Sequence, residues 1–184
     1  MTTFVVAHGA WSSAWAWKKM RPLLRGAGHE QWTPTYTGLG ERAHLASPAV
    51  DLDTHIADVI GVLDMEDLRD IVLIGHSYGG MVATGVMDRV RDRIAQVVYL
   101  DAFVPRDGQC LLDLQAAEVR DRMRELARTS GEGWRLPPNP MPPDTPEADV
   151  AWAAGRRLPQ PLKTFETPLR LTAGTPSPPR SYIY

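Results

Sequence analysis

The sequence predicts an α/β protein, a doubly wound and mainly parallel sheet with an insertion late in the chain. Three observations lead there. Strand-like and helix-like segments alternate through residues 1–104. Two runs, Ile71-Val72-Leu73-Ile74 and Val97-Val98-Tyr99-Leu100, are continuously apolar, as in strands covered on both faces. Beyond Asp107 the alternation stops, and all but four of the 16 prolines (Pro22, Pro34, Pro48 and Pro105) fall after Leu136.

The elements follow in order. Residues 3–7 are a short apolar run of buried-strand type, ending at His8-Gly9-Ala10. Ser12 or Ser13 caps a helix carrying Trp15, Met20, Leu23 and Leu24, which Gly26 or Gly28 ends. Trp15 and Trp17 are expected to pack on it. Residues 31–36 are a weaker strand, followed by the loop Thr37-Gly38-Leu39-Gly40. Leu52, Ile56, Val59, Ile60 and Leu63 recur at helical spacing, with Asp51, Asp53 and Asp58 at other positions. The strand at 71–74 leads into helix-type spacing over 79–90, and the strand at 97–100 comes next. Residues 111–128 pattern as an amphipathic helix, with Leu114, Val119, Met123 and Leu126 on its apolar side. Residues 131–146 hold six prolines and no periodicity. A helix over 147–157 and a strand over 167–173 follow, and Ser181-Tyr182-Ile183-Tyr184 reads as the start of another strand. The predicted division is an N-terminal core over 1–106, a cap insertion over 107–166 and an incomplete return to the core over 167–184.

Composition narrows the function. The chain has 184 residues, 43% of them hydrophobic and 23% charged, as expected of one soluble globular domain. A formal charge of -2 excludes the electrostatic footprint of a nucleic-acid binder or of a protein held on an anionic membrane. No apolar run is long enough to span a bilayer, and the N-terminus has no signal-peptide pattern. Cys110 is the one cysteine, so an internal disulfide and a multi-cysteine metal site are excluded. A cytoplasmic enzyme or binding protein is expected, with no metal and no cofactor.

The chemistry-bearing motif is Gly75-His76-Ser77-Tyr78-Gly79-Gly80, a G-x-S-x-G pattern with a buried strand before it and a helix after it. A nucleophile on so tight a turn needs Gly75 and Gly79, because side chains there would collide. The strained turn lifts the Ser77 hydroxyl above the sheet, beside the free N–H groups of the helix N-terminus. His8-Gly9-Ala10-Trp11 is the second motif. It places the Ala10 amide where, with the amide of Tyr78, it would form a pair of donors for a developing oxyanion. Gly9 lets the backbone approach, and His8 reads as a structural histidine.

Together with Thr37-Gly38-Leu39-Gly40, Leu52-Asp53-Thr54-His55-Ile56 and Leu100-Asp101-Ala102-Phe103-Val104-Pro105, these motifs resemble the α/β-hydrolase superfamily. Within it, the chain is similar to the small esterases that include plant methylesterases, salicylate-binding esterases and hydroxynitrile lyases. The resemblance covers residues 3–105 well and the insertion poorly. It implies hydrolysis of a small, mostly apolar carboxylic ester through an acyl-enzyme on Ser77. Gly9, Trp11, Tyr78, Phe103, Leu111, Leu112 and Trp134 would wall the substrate site. A non-catalytic ligand-binding protein on the same scaffold and a hydroxynitrile lyase are the rival readings. The lyases carry threonine where Gly9 stands, which favours hydrolysis.

The triad is incomplete in this sequence. The superfamily order is Ser, then Asp or Glu, then His. The five histidines are His8, His29, His44, His55 and His76, and none follows Ser77. Asp101 is the weaker candidate for the acid, with a loop-capping or pocket-wall role as its alternative. His8 is the only stand-in base to consider. The expectation is a C-terminally truncated hydrolase, inactive or impaired, lacking its last strands and helix.

Overall fold

The core strands form where the apolar, partly β-branched runs predict them. The structure, a computed structural model describing residues 1–172 and 178–184, opens with β1 (Thr3–Ala7), β2 (Glu30–Trp32), β3 (Ile71–His76) and β4 (Ile94–Leu100). A separate antiparallel pair joins β5 (Arg135–Leu136) to β6 (Gln160–Pro161). Strand β7 (Arg180–Ile183) returns to the core sheet. That sheet has the order β2-β1-β3-β4-β7, and every pairing in it is parallel. The chain runs outward from β1 to β2 and then back to β3 on the other side of β1. Such a reversal opens a crevice beyond the carboxyl ends of the two central strands. His8-Gly9-Ala10 leaves β1 there, and Ser77 leaves β3.

Six α-helices complete the described residues: α1 (Met20–Gly26), α2 (Leu52–Met65), α3 (Gly79–Arg89), α4 (Ala117–Ser130), α5 (Glu147–Ala153) and α6 (Lys163–Glu166). Helix α2 starts at a capping box, in which the Asp51 carboxylate accepts the Thr54 amide at 3.0 Å. It buries Leu52, His55, Ile56, Val59 and Leu63, matching the helical spacing. Helix α3 is buried from Gly79 to Met87 and packs on β1, β3 and β4. No helix among the described residues is long and apolar enough to cross a membrane.

Several expectations need correction. Along β3, Ile71, Leu73 and Gly75 are buried beneath α3, while Val72, Ile74 and His76 are half-buried. Coverage is therefore complete on one face only. The opposite face meets the 3₁₀ turn Ala14–Trp17, whose Trp17 ring stands edge-on to His76 at 6.1 Å. Trp17 thus packs on the strand end. The first helix is split into this turn and α1, and Ser13 makes no side-chain cap. Strand β2 stops at Trp32, short of Pro34, which has no N–H to give a ladder. The helix expected over 111–128 is a 3₁₀ turn, Leu111–Leu114, then α4, because Gln115 and Ala116 are extended. Helix α5 ends at Ala153.

The strand expected over 167–173 is absent from 167–172, and Ala173 lies outside the described residues. The backbone there bonds elsewhere. Gly108 donates to the Leu169 carbonyl at 2.8 Å, and Leu169 donates to the Gln109 carbonyl at 3.0 Å. The Leu171 and Thr172 amides go to the carboxylates of Asp107 and Asp88. The edge strand forms instead at β7, and it includes the Ser181-Tyr182-Ile183 segment.

Candidate active site

Ser77 sits at the apex of the β3–α3 turn with φ of 52°. This left-handed conformation costs a non-glycine residue roughly 1–2 kcal/mol and must be held by its surroundings. Its amide donates to the carbonyls of Leu100 and Asp101 at 3.3 and 3.2 Å, and its carbonyl accepts from Gly80 and Phe103. The glycines make the turn possible. A Cβ on Gly79 would lie 1.9 Å from the Ala7 carbonyl oxygen, and one on Gly75 would lie 2.9 Å from the Ala83 Cβ. The ends of the two neighbouring strands are bent the same way, with φ of 55° at Trp11 and 41° at Asp101. Three left-handed residues thus ring the crevice.

The amides of Ala10 and Tyr78 have no acceptor among the described residues. Both residues, with Ser77, line a cavity of about 540 Å³. Two unpartnered N–H donors and a hydroxyl thus belong to residues that line one cavity, the kinds of group that acyl transfer uses. Trp11, Phe103 and Leu111 also wall the cavity, as the sequence predicts. Gly9, Leu112 and Trp134 do not line it. Gly9 lies behind the wall, where its Cβ would meet His76 Nδ1 at 2.9 Å, and Leu112 is buried in the core. Gln115, helix α4 and the stretch 136–140 supply walls that sequence reasoning missed, Arg122, Leu136 and Asn139 among them. The apolar positions Val119, Met123 and Leu126 of α4 face this cavity, and their helical spacing was the available signal.

Behind the crevice lies a buried stack of rings. Tyr36 stacks on His8 at 3.8 Å and on His55 at 4.7 Å between centroids. His8 Nδ1–H donates to the Gly9 carbonyl, and His8 Nε2 accepts the Tyr36 amide. His55 Nε2–H donates to the Thr37 carbonyl, and His55 Nδ1 accepts the Tyr78 hydroxyl at 2.9 Å. Tyr36 Oη donates to the His8 carbonyl. Burial removes water from the cationic form and pushes both histidines down to about 3, so both are neutral. The segments carrying the Ala10 and Tyr78 amides are thus tied to one stack. Asp58 adds a further tie, accepting the Thr37 amide at 2.6 Å and pairing with Arg42 at 2.8 Å.

No histidine hydrogen-bonds to the Ser77 hydroxyl among the described residues. The lone pairs of His8 and His55 are already engaged, as just described. Burial lowers His76, and the Asp101 carboxylate offsets this in part. Asp101 is exposed, and no histidine hydrogen-bonds to it. Its backbone amide donates to the Ile183 carbonyl at 2.8 Å, holding β7.

A parallel sheet with a serine at a strand–elbow–helix turn, facing two free amides across a switch-point crevice, has the architecture of an α/β hydrolase. The alpha/beta hydrolase family model matches residues 4–184, and the chain belongs to that family. A carbendazim hydrolyzing esterase from Nocardioides sp. (strain SG-4G) is 42% identical over 182 residues, covering 95% of this chain and 75% of the relative. Methylesterase 2 of Arabidopsis thaliana is 32% identical over 113 residues, covering 55% of this chain and 40% of that protein. Among solved structures, the chain resembles an extracellular alpha/beta-hydrolase from a Paenibacillus species, which shares structural and functional homology with tobacco salicylic acid binding protein 2. The TM-score is 0.88 at 29% identity, over 99% of this chain and 76% of that one. The esterase branch anticipated from the motifs is thereby found.

Proposed function

We propose that this site hydrolyses small carboxylic esters, with Ser77 as the nucleophile. The observation that carries the reading is the pair of unpartnered amides, Ala10 and Tyr78, lining one cavity with the Ser77 hydroxyl. Ser77 Oγ would attack the ester carbonyl carbon and lose its proton to a base. The carbonyl oxygen becomes an oxyanion held by the two amides, each worth ~3 kcal/mol of barrier. The alcohol then leaves with a proton, and water releases the acid from the acyl-enzyme. Residues 107–166 act as a cap, contributing Leu111, α4 and the 136–140 wall. The largely apolar lining suits a small ester. The esterase relatives support the same chemistry.

Slow hydrolysis is expected of these residues, because no histidine hydrogen-bonds to Ser77 among them. A second reading is a ligand-binding protein on the same scaffold that hydrolyses nothing. Asp101 hydrogen-bonds to no histidine in this arrangement, and its backbone amide is bonded to Ile183 of β7.

Rates with 4-nitrophenyl butyrate, measured for the chain and for Ser77→Ala, test the proposal. Hydrolysis above the buffer rate that disappears in Ser77→Ala supports it. Hydrolysis that persists in Ser77→Ala overturns it. An ester bound intact in the cavity, with no turnover, selects the binding protein. Cleavage of a cyanohydrin in preference to the ester would replace hydrolysis with lyase chemistry.

A further inference from the structure

The cavity is chemically polarised. Its polar lining consists of Ser77, Gln115, Arg122 and Asn139, with no aspartate or glutamate among its walls. Of the α4 arginines, Arg120 and Arg122 make no salt bridge among the described residues, and of these two only Arg122 lines the cavity. Arg124 pairs with Glu166, and Arg128 pairs with Glu125. Arg122 has no carboxylate within 4.0 Å among the described residues. Glu118, one turn earlier, is placed as the usual helix-surface partner four residues back, yet the two do not pair.

Asn139 is oriented as a donor. Arg157 donates to its backbone carbonyl at 2.7 Å and to its side-chain oxygen at 2.5 Å. With Oδ1 so engaged, the free end of the Asn139 side chain is its NH₂ group, which can only donate. Arg157 is itself cationic and lies 5.9 Å from the centre of the Trp11 ring, another wall of the cavity. The rim formed by α4 and residue 139 therefore carries a guanidinium and an amide donor, with a second guanidinium behind them. A guanidinium with an adjacent N–H donor is a recurrent receptor for carboxylate oxygens.

We infer that Arg122 and Asn139 form a specificity-determining acceptor site, and that the preferred ester carries a carboxylate at the end remote from its scissile carbonyl. This rests on the cavity being the substrate site proposed above. A substrate of that class has a mostly apolar body, one ester to meet Ser77 and one anionic group to meet the rim. Both rim side chains are exposed, so water and salt screen the pairing, and the preference is moderate.

A binding measurement tests this without needing turnover. Titration calorimetry would compare 4-phenylbutyrate with the neutral 4-phenylbutyramide, in the unmodified chain, in Arg122→Gln and in Asn139→Ala. The expected result is a preference for the carboxylate of about fivefold or more, at an ionic strength of roughly 0.02 M. Arg122→Gln removes it, Asn139→Ala reduces it, and 1 M salt suppresses it. Equal binding of the two probes, or no binding of either, overturns the inference. So does a preference that survives Arg122→Gln, since the carboxylate then sits on the Ala10 and Tyr78 amides, as a product acid would. Failure here leaves the Ser77→Ala hydrolysis test intact, because that test uses a neutral ester.

Discussion

Lowering the pH from about 7 to 5 is expected to destabilise this protein steeply, through two histidines that never touch the cavity. His8 and His55 are fully buried and neutral, with pKa values pushed down to about 3 from an ordinary 6.5. In the unfolded chain each takes up a proton as the pH falls through 6.5, whereas the folded protein takes up neither until near pH 3. The unfolded state binds more protons throughout that window, so stability rises with pH and is lost on acidification. Each histidine contributes about 1.4 kcal/mol per pH unit, or about 2 kcal/mol at pH 5. The pair accounts for about 4 kcal/mol, a large share of a typical 5–15 kcal/mol domain stability. His76, also lowered by burial, adds in the same direction. The lowered carboxylates of Asp51 and Asp88 titrate below this window and do not confuse it. Urea unfolding followed by circular dichroism at pH 7, 6 and 5 measures the effect. In His55→Gln, which keeps a donor and an acceptor, the acid-dependent loss should fall by about 2 kcal/mol. A total loss below about 2 kcal/mol between pH 7 and 5 would refute the buried, neutral assignment of the pair.

Three further outcomes follow from the geometry. Gly79→Ala forces a Cβ onto the Ala7 carbonyl oxygen and should destabilise by ~3 kcal/mol or more, seen as a lowered melting temperature or insoluble protein. Trp11→Phe removes the indole N–H that donates to the Leu136 carbonyl at 2.9 Å; chemical denaturation should show a loss of ~1–3 kcal/mol from the stranded acceptor. Asp51→Ala deletes the α2 cap and should cost ~1 kcal/mol in the same assay.

The central half of the molecule was legible because its signals are local. Ile71 to Ile74, the Gly-x-Ser-x-Gly turn and the Leu52-to-Leu63 spacing each need only neighbouring residues to be read. The chain beyond Asp107 was less legible, because prolines erase periodicity and its backbone bonds to distant partners. Leu169 shows this: its apolar segment pairs with Gly108 and Gln109 in place of a sheet. Wall residues Arg122 and Asn139 carry no motif, and only folding brings them to the cavity that Ser77 lines. The ring stack joins His8, Tyr36 and His55, residues 28 and 19 positions apart, and no pattern in the chain announces such contacts. Left-handed Trp11 was equally silent, since a bulky aromatic residue rarely adopts that conformation, whereas aspartate visits it more readily and Asp101 gave at most a weak signal.

The tie from Trp11 to the small β5–β6 sheet bears on how the cavity can breathe. The Trp11 backbone amide donates to the Gln160 side chain at 3.0 Å, and its indole N–H donates to Leu136. Gln160 in turn donates to Thr164, whose hydroxyl donates to the Pro161 carbonyl. Lifting β5 and β6 from the core would strand several buried polar groups at once, each at ~1–3 kcal/mol. This base is therefore tied to the core, and its amides are expected to exchange slowly with solvent deuterium. Helix α4 has a single fully buried residue, Ala127, and so belongs to the fast-exchanging end of the same spectrum.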